Sequence, residues 1–233
     1  MTKFTQEQVD NLNSTIKTTE EALQWVSDNL HPKVAKASSF GAEDAVVMDI
    51  MLKINPNFRF FTLDTGRLPQ ETYDIMDIVR KKYNISIEVL FPDTKEVEEM
   101  VKEKGVNLFY ESVDNRELCC EIRKVHPMNK MLNTLDGWIT GLRRDQTKNR
   151  EDVTIFQLDH GHGGMLKINP IVVENDYAIA GWSQGDKGGR ALLTNTNNKW
   201  TIGVTLQPNR TYSSGACQTV NNNYIGGEFK SML

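Results

Sequence analysis

Two adjacent cysteines, Cys119 and Cys120, sit in "NRELCCEIRKVHPMNK", residues 115–130, and with Cys217 they are the chain's three cysteines. Helix neighbours point about 100° apart, so the pair is poorly placed to form a disulfide with itself. Both thiols could instead ligate one metal cluster: an iron–sulfur cube normally takes four cysteine thiolates, and Arg123 and Lys124 close by favour the thiolate form. A zinc site more typically shows spaced pairs. The plain alternative is a pair of small apolar residues buried in a core.

Three further segments carry groups suited to a small anion. In "SSFGAEDA", residues 38–45, backbone N–H groups and the hydroxyls of Ser38 and Ser39 could hold a phosphate at a helix N-terminus, with Gly41 allowing close approach. An ordinary helix start, with Glu43 and Asp44 complementing the dipole, accounts for the same residues, and those two acids would repel an anion. In "LDTGRLPQETY", residues 63–73, Asp64 and Thr65 could hydrogen-bond a ribose or base, Gly66 permits a tight turn, and Arg67 offers a planar donor fork. "WITGLRRDQTKNR", residues 138–150, sets Arg143 and Arg144 directly after a short extended run, with Lys148 and Arg150 behind them, in the manner of an oxyanion clamp. "LDHGHGG" places His160 and His162 two apart; on a strand they would share a face, but no further metal ligands are evident and a glycine-rich turn explains them.

These segments need a scaffold, and the first 170 residues supply alternating patterns for one. "TTEEALQWVSDNL" opens with a capping-box spacing, Thr18 to Glu21, and reads as a helix. "KVAKASS" is extended, "EDAVVMDIMLKI" helical, and "FRFFTLD" a buried strand. "PQETYDIMDIVRKKY" begins with Pro69 at a favoured first-turn position, "ISIEVLF" is a strand, "TKEVEEMVKEKG" a helix stopped by Gly105, and "WITGL" a further strand. Strands spaced by helices of this length predict an α/β fold with a doubly wound, mostly parallel sheet. In such sheets ligands sit at the carboxyl ends of the strands, where the anion-binding segments fall. Past Pro170 short extended runs separated by "GDKGG" and "NTNN" read as a small β-meander. The expected division is therefore residues 1–170 and an atypical β-rich tail, 171–233, read as a structural or oligomer-forming element that leaves room for a homo-oligomer.

With 39% hydrophobic and 25% charged residues the composition is that of an ordinary soluble globular protein. The net charge of −4 argues against a general nucleic-acid binder. Residues 116–150 nevertheless hold eight Lys or Arg against four acids, a local excess that can focus a small anionic substrate or form a solvated basic face. No apolar run approaches the ~18 residues of a membrane span, and the N-terminus lacks a signal peptide's apolar core. The cysteine count fits a reducing, cytoplasmic setting.

In this order "SSFGAEDA", "LDTGRLPQETY", "CCEIRKVHPMNK" and "WITGLRRDQTKNR" resemble the assimilatory sulfonucleotide reductases, over about residues 15–170. The resemblance implies an adenine-nucleotide α-hydrolase-like fold and reduction of adenylyl sulfate, or its 3′-phosphorylated form, to sulfite. It places Ser38, Ser39, Gly41, Asp64, Gly66, Arg67, Arg143 and Arg144 around the nucleotide, with adenylyl sulfate or AMP as the ligand and a thioredoxin-like thiol donor as partner. Within that family a Cys-Cys pair with a distant Cys-x-x-Cys marks members that carry a four-iron four-sulfur (4Fe-4S) cluster and prefer adenylyl sulfate, so Cys119 and Cys120 point to that branch. A further cysteine near the family's C-terminus attacks the substrate sulfur. Here the Cys-x-x-Cys and that nucleophile's motif are not found, and Cys217 is left as cluster ligand, stand-in nucleophile or inert thiol. Three cysteines cannot supply four cluster thiolates and a nucleophile, so the expected ligand set is incomplete. A catalytically incomplete sulfonucleotide-binding protein or a chimeric product is the alternative reading. ATP-pyrophosphatase-type adenylating enzymes share the fold, but their phosphate loop is richer in glycine.

Overall fold

The computed structural model describes residues 4–141 and 153–170, and the backbone of 177–184, 187–196 and 199–206. Two helices lead in, α1 (Gln6–Thr15) and α2 (Thr19–Leu30), each opened by a reciprocal capping box, Thr5 with Gln8 and Thr18 with Glu21. Then strands and helices alternate: β1 (Val34–Ala37), α3 (Ala42–Ile54), β2 (Arg59–Leu63), α4 (Gln70–Tyr83), β3 (Glu88–Leu90) and α5 (Thr94–Lys104). Asn84 and Gly105, both at positive φ, terminate α4 and α5. A continuous helical stretch follows, α6 (Val113–Cys120), a π-helical turn (Glu121–Val125) and α7 (His126–Leu132), before β4 (Gly137–Ile139). β5 (Phe156–Asp159) and β6 (Met165–Ile168) complete the sheet.

The sheet order is β3-β2-β1-β4-β6-β5, parallel except for the antiparallel β5–β6 pair at one edge. The chain runs outward from β1 through β2 to β3 and then returns to lay β4 on the other side of β1. The strand order therefore reverses at β1/β4, the place where this topology opens a crevice for ligands. Alternate side chains face opposite layers. Val34, Phe60, Ile139 and Leu166 join α2, α3 and α4 in the larger core, while Ala35, Phe61 and Met165 meet Met131, Leu132 and Leu135 on the α7 side. A third cluster gathers Met100, Leu108, Phe109, Cys119, Cys120 and Ile122. β7 (Tyr177–Gln184), β8 (Lys187–Thr196) and β9 (Lys199–Leu206) form a second, three-stranded antiparallel sheet, which is the meander expected from the turn spacing. No helix among the described residues is long and apolar enough to cross a membrane.

Candidate functional site

The turn after β1 is built from the inside. Lys36 is fully buried within the strand, an arrangement that costs several kcal/mol per ion unless the charge is paired. Its Nζ donates to Asp44 Oδ1 on the first turn of α3 and to the carbonyl of Ala37 at 2.5 Å. Asp44, also buried, turns Oδ2 to the Ser39 N–H (2.6 Å) and the Ser39 hydroxyl (2.9 Å). Ser38 Oγ accepts from the Phe40 N–H at 3.1 Å, and Phe40 sits at φ +60°, a backbone region that non-glycine residues seldom adopt and that clusters at functional turns. Gly41 then caps α3 without a side-chain hydrogen bond. Of the two acids expected to repel an anion here, Asp44 is neutralised by Lys36. Glu43 folds back so that a Cβ at Gly41 would lie 2.8 Å from its Oε1.

The turn after β2 lies beside it on the same carboxyl edge. Asp64 is buried and accepts from the Gly66 N–H (2.8 Å) and the Tyr73 hydroxyl (2.9 and 3.0 Å). Burial first, then the hydrogen bond and charge of Asp64, raise the pKa of Tyr73 above the usual phenol value. The carboxylate thus shapes its own turn. Gly66 holds φ +71°. Arg67 directs Nη1 to the Val106 carbonyl (2.9 Å) and Nη2 to Asn107 Oδ1 (3.1 Å), with its guanidinium 4.5 Å over the Phe109 ring.

Phe109 belongs to the cluster that holds the cysteine pair, so Arg67 connects the β2 turn to that cluster. Arg123 makes a second connection: it is 8% exposed and donates from Nη1 to the Thr65 carbonyl at 2.6 Å, while its Nε is buried without a partner. Cys119 and Cys120 are 0% and 8% exposed, and neither is in a disulfide. The π turn that follows them has a local cause. Pro127 has no N–H for the carbonyl four residues back and its ring crowds that carbonyl; the chain responds with a wider turn in which the His126 N–H bonds Glu121 O. Such turns recur at functional sites. The pair presents two of the four thiolates an iron–sulfur cube takes. Among the described residues no group of three or more His, Cys, Asp or Glu converges to hold a metal ion, so the described donor set is half of what a cluster needs.

Arg143, Arg144 and Cys217 lie outside the described residues, as do Lys148 and Arg150. The end of β4 leading toward the arginines is described: a Cβ at Gly141 would overlap Asp44 Oδ1 and lie 3.2 Å from Lys36 Nζ. Ser38, Ser39, Gly41, Asp64, Gly66 and Arg67 all fall at the ends of β1 and β2 next to the switch point. His160 and His162 form a short 3-10 turn between β5 and β6, closed by Gly163 and Gly164 at positive φ. His162 Nδ1 lies 2.9 Å from Asp159 Oδ2, which also accepts from Trp138 Nε1 at 2.9 Å. Sequence reasoning missed Lys36 as a site element, Arg123 as a brace for the β2 turn, and Tyr73 as the partner of Asp64. For Lys36 there was a signal: a cation inside a strand buried on both faces requires a counter-ion.

Comparison with known proteins is consistent with this geometry. The family model described as "Phosphoadenosine phosphosulfate reductase domain" matches residues 33–184. An adenosine 5'-phosphosulfate reductase of Burkholderia cepacia is 38% identical over 156 residues, 67% of this chain and 59% of the relative. "5'-adenylylsulfate reductase 1, chloroplastic" of Arabidopsis thaliana is 42% identical over 139 residues, 56% of this chain and 30% of the relative. The chain thus spans about a third to three fifths of the length of these curated relatives. The crystal structure of a phosphoadenylyl-sulfate reductase from Candida auris, a phosphate complex, superposes with TM-score 0.61 at 26% identity, covering 72% of this chain and 79% of that one. The fold is accordingly the mostly parallel α/β sheet of the adenine-nucleotide α-hydrolase-like type. By the reach of the family match and the identity to its relatives, the chain belongs to the phosphoadenosine phosphosulfate reductase domain family.

Proposed function

We propose that this chain binds adenylyl sulfate at the carboxyl edge of β1, β2 and β4 and takes part in its thiol-dependent reduction to sulfite and AMP. The observation that carries the reading is the placement of two anion-suited turns, Ser38–Gly41 and Asp64–Arg67, on adjacent parallel strand ends at the point where the strand order reverses. The family match and the names of the relatives supply the substrate class. In the reaction two thiols are oxidised to a disulfide, the sulfur of the sulfate group accepts two electrons, and AMP leaves. The chain's own share is binding and charge stabilisation: the N-terminal turn of α3 suits the developing negative charge on the leaving phosphate, and the resemblance assigns Arg143 and Arg144 to the same task. Adenylyl sulfate is preferred over its 3′-phosphorylated form on the strength of the adjacent cysteines. Cys119 and Cys120 are the residues through which the resemblance would attach a cluster.

One observation favours a second reading, binding without turnover: both described cysteines are buried in an apolar cluster, out of reach of a substrate. The experiment is an anaerobic purification followed by three measurements: iron content, affinity for AMP and adenylyl sulfate, and sulfite release with reduced thioredoxin. Sulfite release that depends on thioredoxin is the expected result. Nucleotide binding without sulfite supports the second reading, and failure to bind either nucleotide overturns both.

A further inference from the structure

We propose that Lys36 and Asp44 are positioning residues of the nucleotide site, and that their buried pair fixes the Ser39 turn to the end of β4. The inference rests on the site assignment above and deepens it. Three segments meet at the pair. β1 contributes Lys36, held by Asp44 and by the Ala37 carbonyl. The turn contributes Ser39, whose N–H and hydroxyl both end on Asp44 Oδ2. The segment just after β4 contributes Gly141, whose Cα leaves no room for a Cβ beside the Asp44 carboxylate.

A helix cap needs only one acceptor for one N–H. Asp44 instead turns one oxygen to a lysine and the other to both donors of Ser39, and it is 3% exposed. A surface dipole partner would be open to water. A pair kept for stability alone would gain nothing from its position, since well-packed apolar residues of similar volume commonly replace such pairs with no loss. What apolar residues cannot reproduce is the acceptor for Ser39 and the stop against Gly141. The pair therefore sets the relative position of two of the segments that approach the ligand, and affinity depends on it separately from folding.

The test separates the two. In Lys36→Met/Asp44→Leu neither charge is left buried alone, so the variant folds, while AMP affinity falls about tenfold, the scale of one charge-assisted hydrogen bond. A folded double variant that binds AMP within about twofold of the parent chain overturns the proposal, since a tenfold effect is equivalent to only about 1.4 kcal/mol. Gly141→Ala keeps every hydrogen-bonding group but drives the Asp44 carboxylate off its partners Lys36 and Ser39, since the new Cβ would overlap Asp44 Oδ1 and lie 3.2 Å from Lys36 Nζ. It lowers the melting temperature, as breaking a buried pair does, and weakens AMP binding by the folded protein; unchanged affinity in this variant also overturns the proposal. Amide hydrogen exchange at Ser39 gives a reading without nucleotide: slow in the parent chain and fast in the double variant. Should the parent chain bind neither AMP nor adenylyl sulfate, the functional assignment fails by itself, and equal Ser39 exchange in parent and variant then sinks the joint as well.

Discussion

Replacing Gly66 with alanine forces a Cβ into the turn after β2 at φ +71°, 3.3 Å from Arg123 Nη1. An L-residue in this left-handed region costs roughly 1–2 kcal/mol. The contact adds to that, because Arg123 is 8% exposed and its Nη1 is tied to the Thr65 carbonyl at 2.6 Å. Releasing it would break a charge-assisted hydrogen bond worth about 1.5–3 kcal/mol, so the guanidinium shifts by a few tenths of an ångström rather than swinging away. Gly66→Ala is therefore expected to destabilise by about 1–3 kcal/mol. For a chain of this size that lowers the melting temperature by roughly 2–4 °C per kcal/mol. Urea unfolding of Gly66→Ala, Gly66→Asn, Arg123→Ala and the Gly66→Ala/Arg123→Ala double variant apportions the loss. Gly66→Asn keeps the Cβ but tolerates the left-handed backbone, which isolates the contact; Gly66→Ala in an Arg123→Ala background isolates the backbone. Stability within about 0.5 kcal/mol of the parent for Gly66→Ala, the range of an ordinary surface change, would refute the turn geometry. An identical loss in both backgrounds would show that Arg123 bears no part of it.

Tyr73→Phe removes the hydroxyl that Asp64 accepts and is expected to cost about 1 kcal/mol, a charged hydrogen bond discounted for partial exposure. Since the Tyr73 pKa is raised in the folded chain, its contribution is complete below about pH 10 and is lost as pH climbs through the folded value; the variant should lack that alkaline slope in a pH series of urea midpoints. Glu43→Gln removes a carboxylate folded over Gly41 and should tighten AMP binding about two- to fivefold at low salt, with the gain shrinking as salt screens it; weaker binding would contradict the placement. His126 takes its raised pKa first from the hydrogen bond with Glu96, against the opposing effect of burial, and then from the charges of Glu96 and Glu121. Its stabilisation is complete below about pH 6.5 and is lost as pH rises through the folded value, and NMR titration should show a downward move of that value in Glu96→Gln.

Most of the scaffold was legible because its elements carry their own punctuation. Thr18 and Glu21 form the capping box their spacing announces, and Gly105 stops α5 at positive φ as its place after a lysine-rich turn suggests. β1, β2, β3 and β4 are readable as short extended stretches between turns. Two parts were not. α1 is a polar helix with one buried residue, Val9, so it lacks the apolar stripe that periodicity detects; Thr5 and Gln8 were its only mark. β5 and β6 flank "HGHGG", and the antiparallel edge they form is decided by pairing across that turn, from Phe156 with Ile168 to Asp159 with Met165. Local sequence does not record which strand a four-residue segment will meet.

The site divides along the same line, between groups that act locally and groups that act through a partner far away in the chain. Asp64 and Gly66 are two residues apart, and an Asx-type turn with a left-handed glycine could be read from "DTG" alone. Lys36 and Asp44 are eight apart on different elements, and only the fold shows that the acid faces inward to a lysine. Arg123 is the instructive case. It lies four residues beyond Cys119, the same helical face, and from sequence its charge was assigned to the thiol. In the fold its Nη1 goes 58 residues back to the Thr65 carbonyl, while Pro127 opens the helix into a π turn across Arg123 itself. The cysteine pair is thereby attached to the β2 turn by a guanidinium at one point and, through Phe109 under Arg67, by an aromatic contact at another. A change at either thiol that moves the helix therefore reaches the turn at Gly66 through these two contacts.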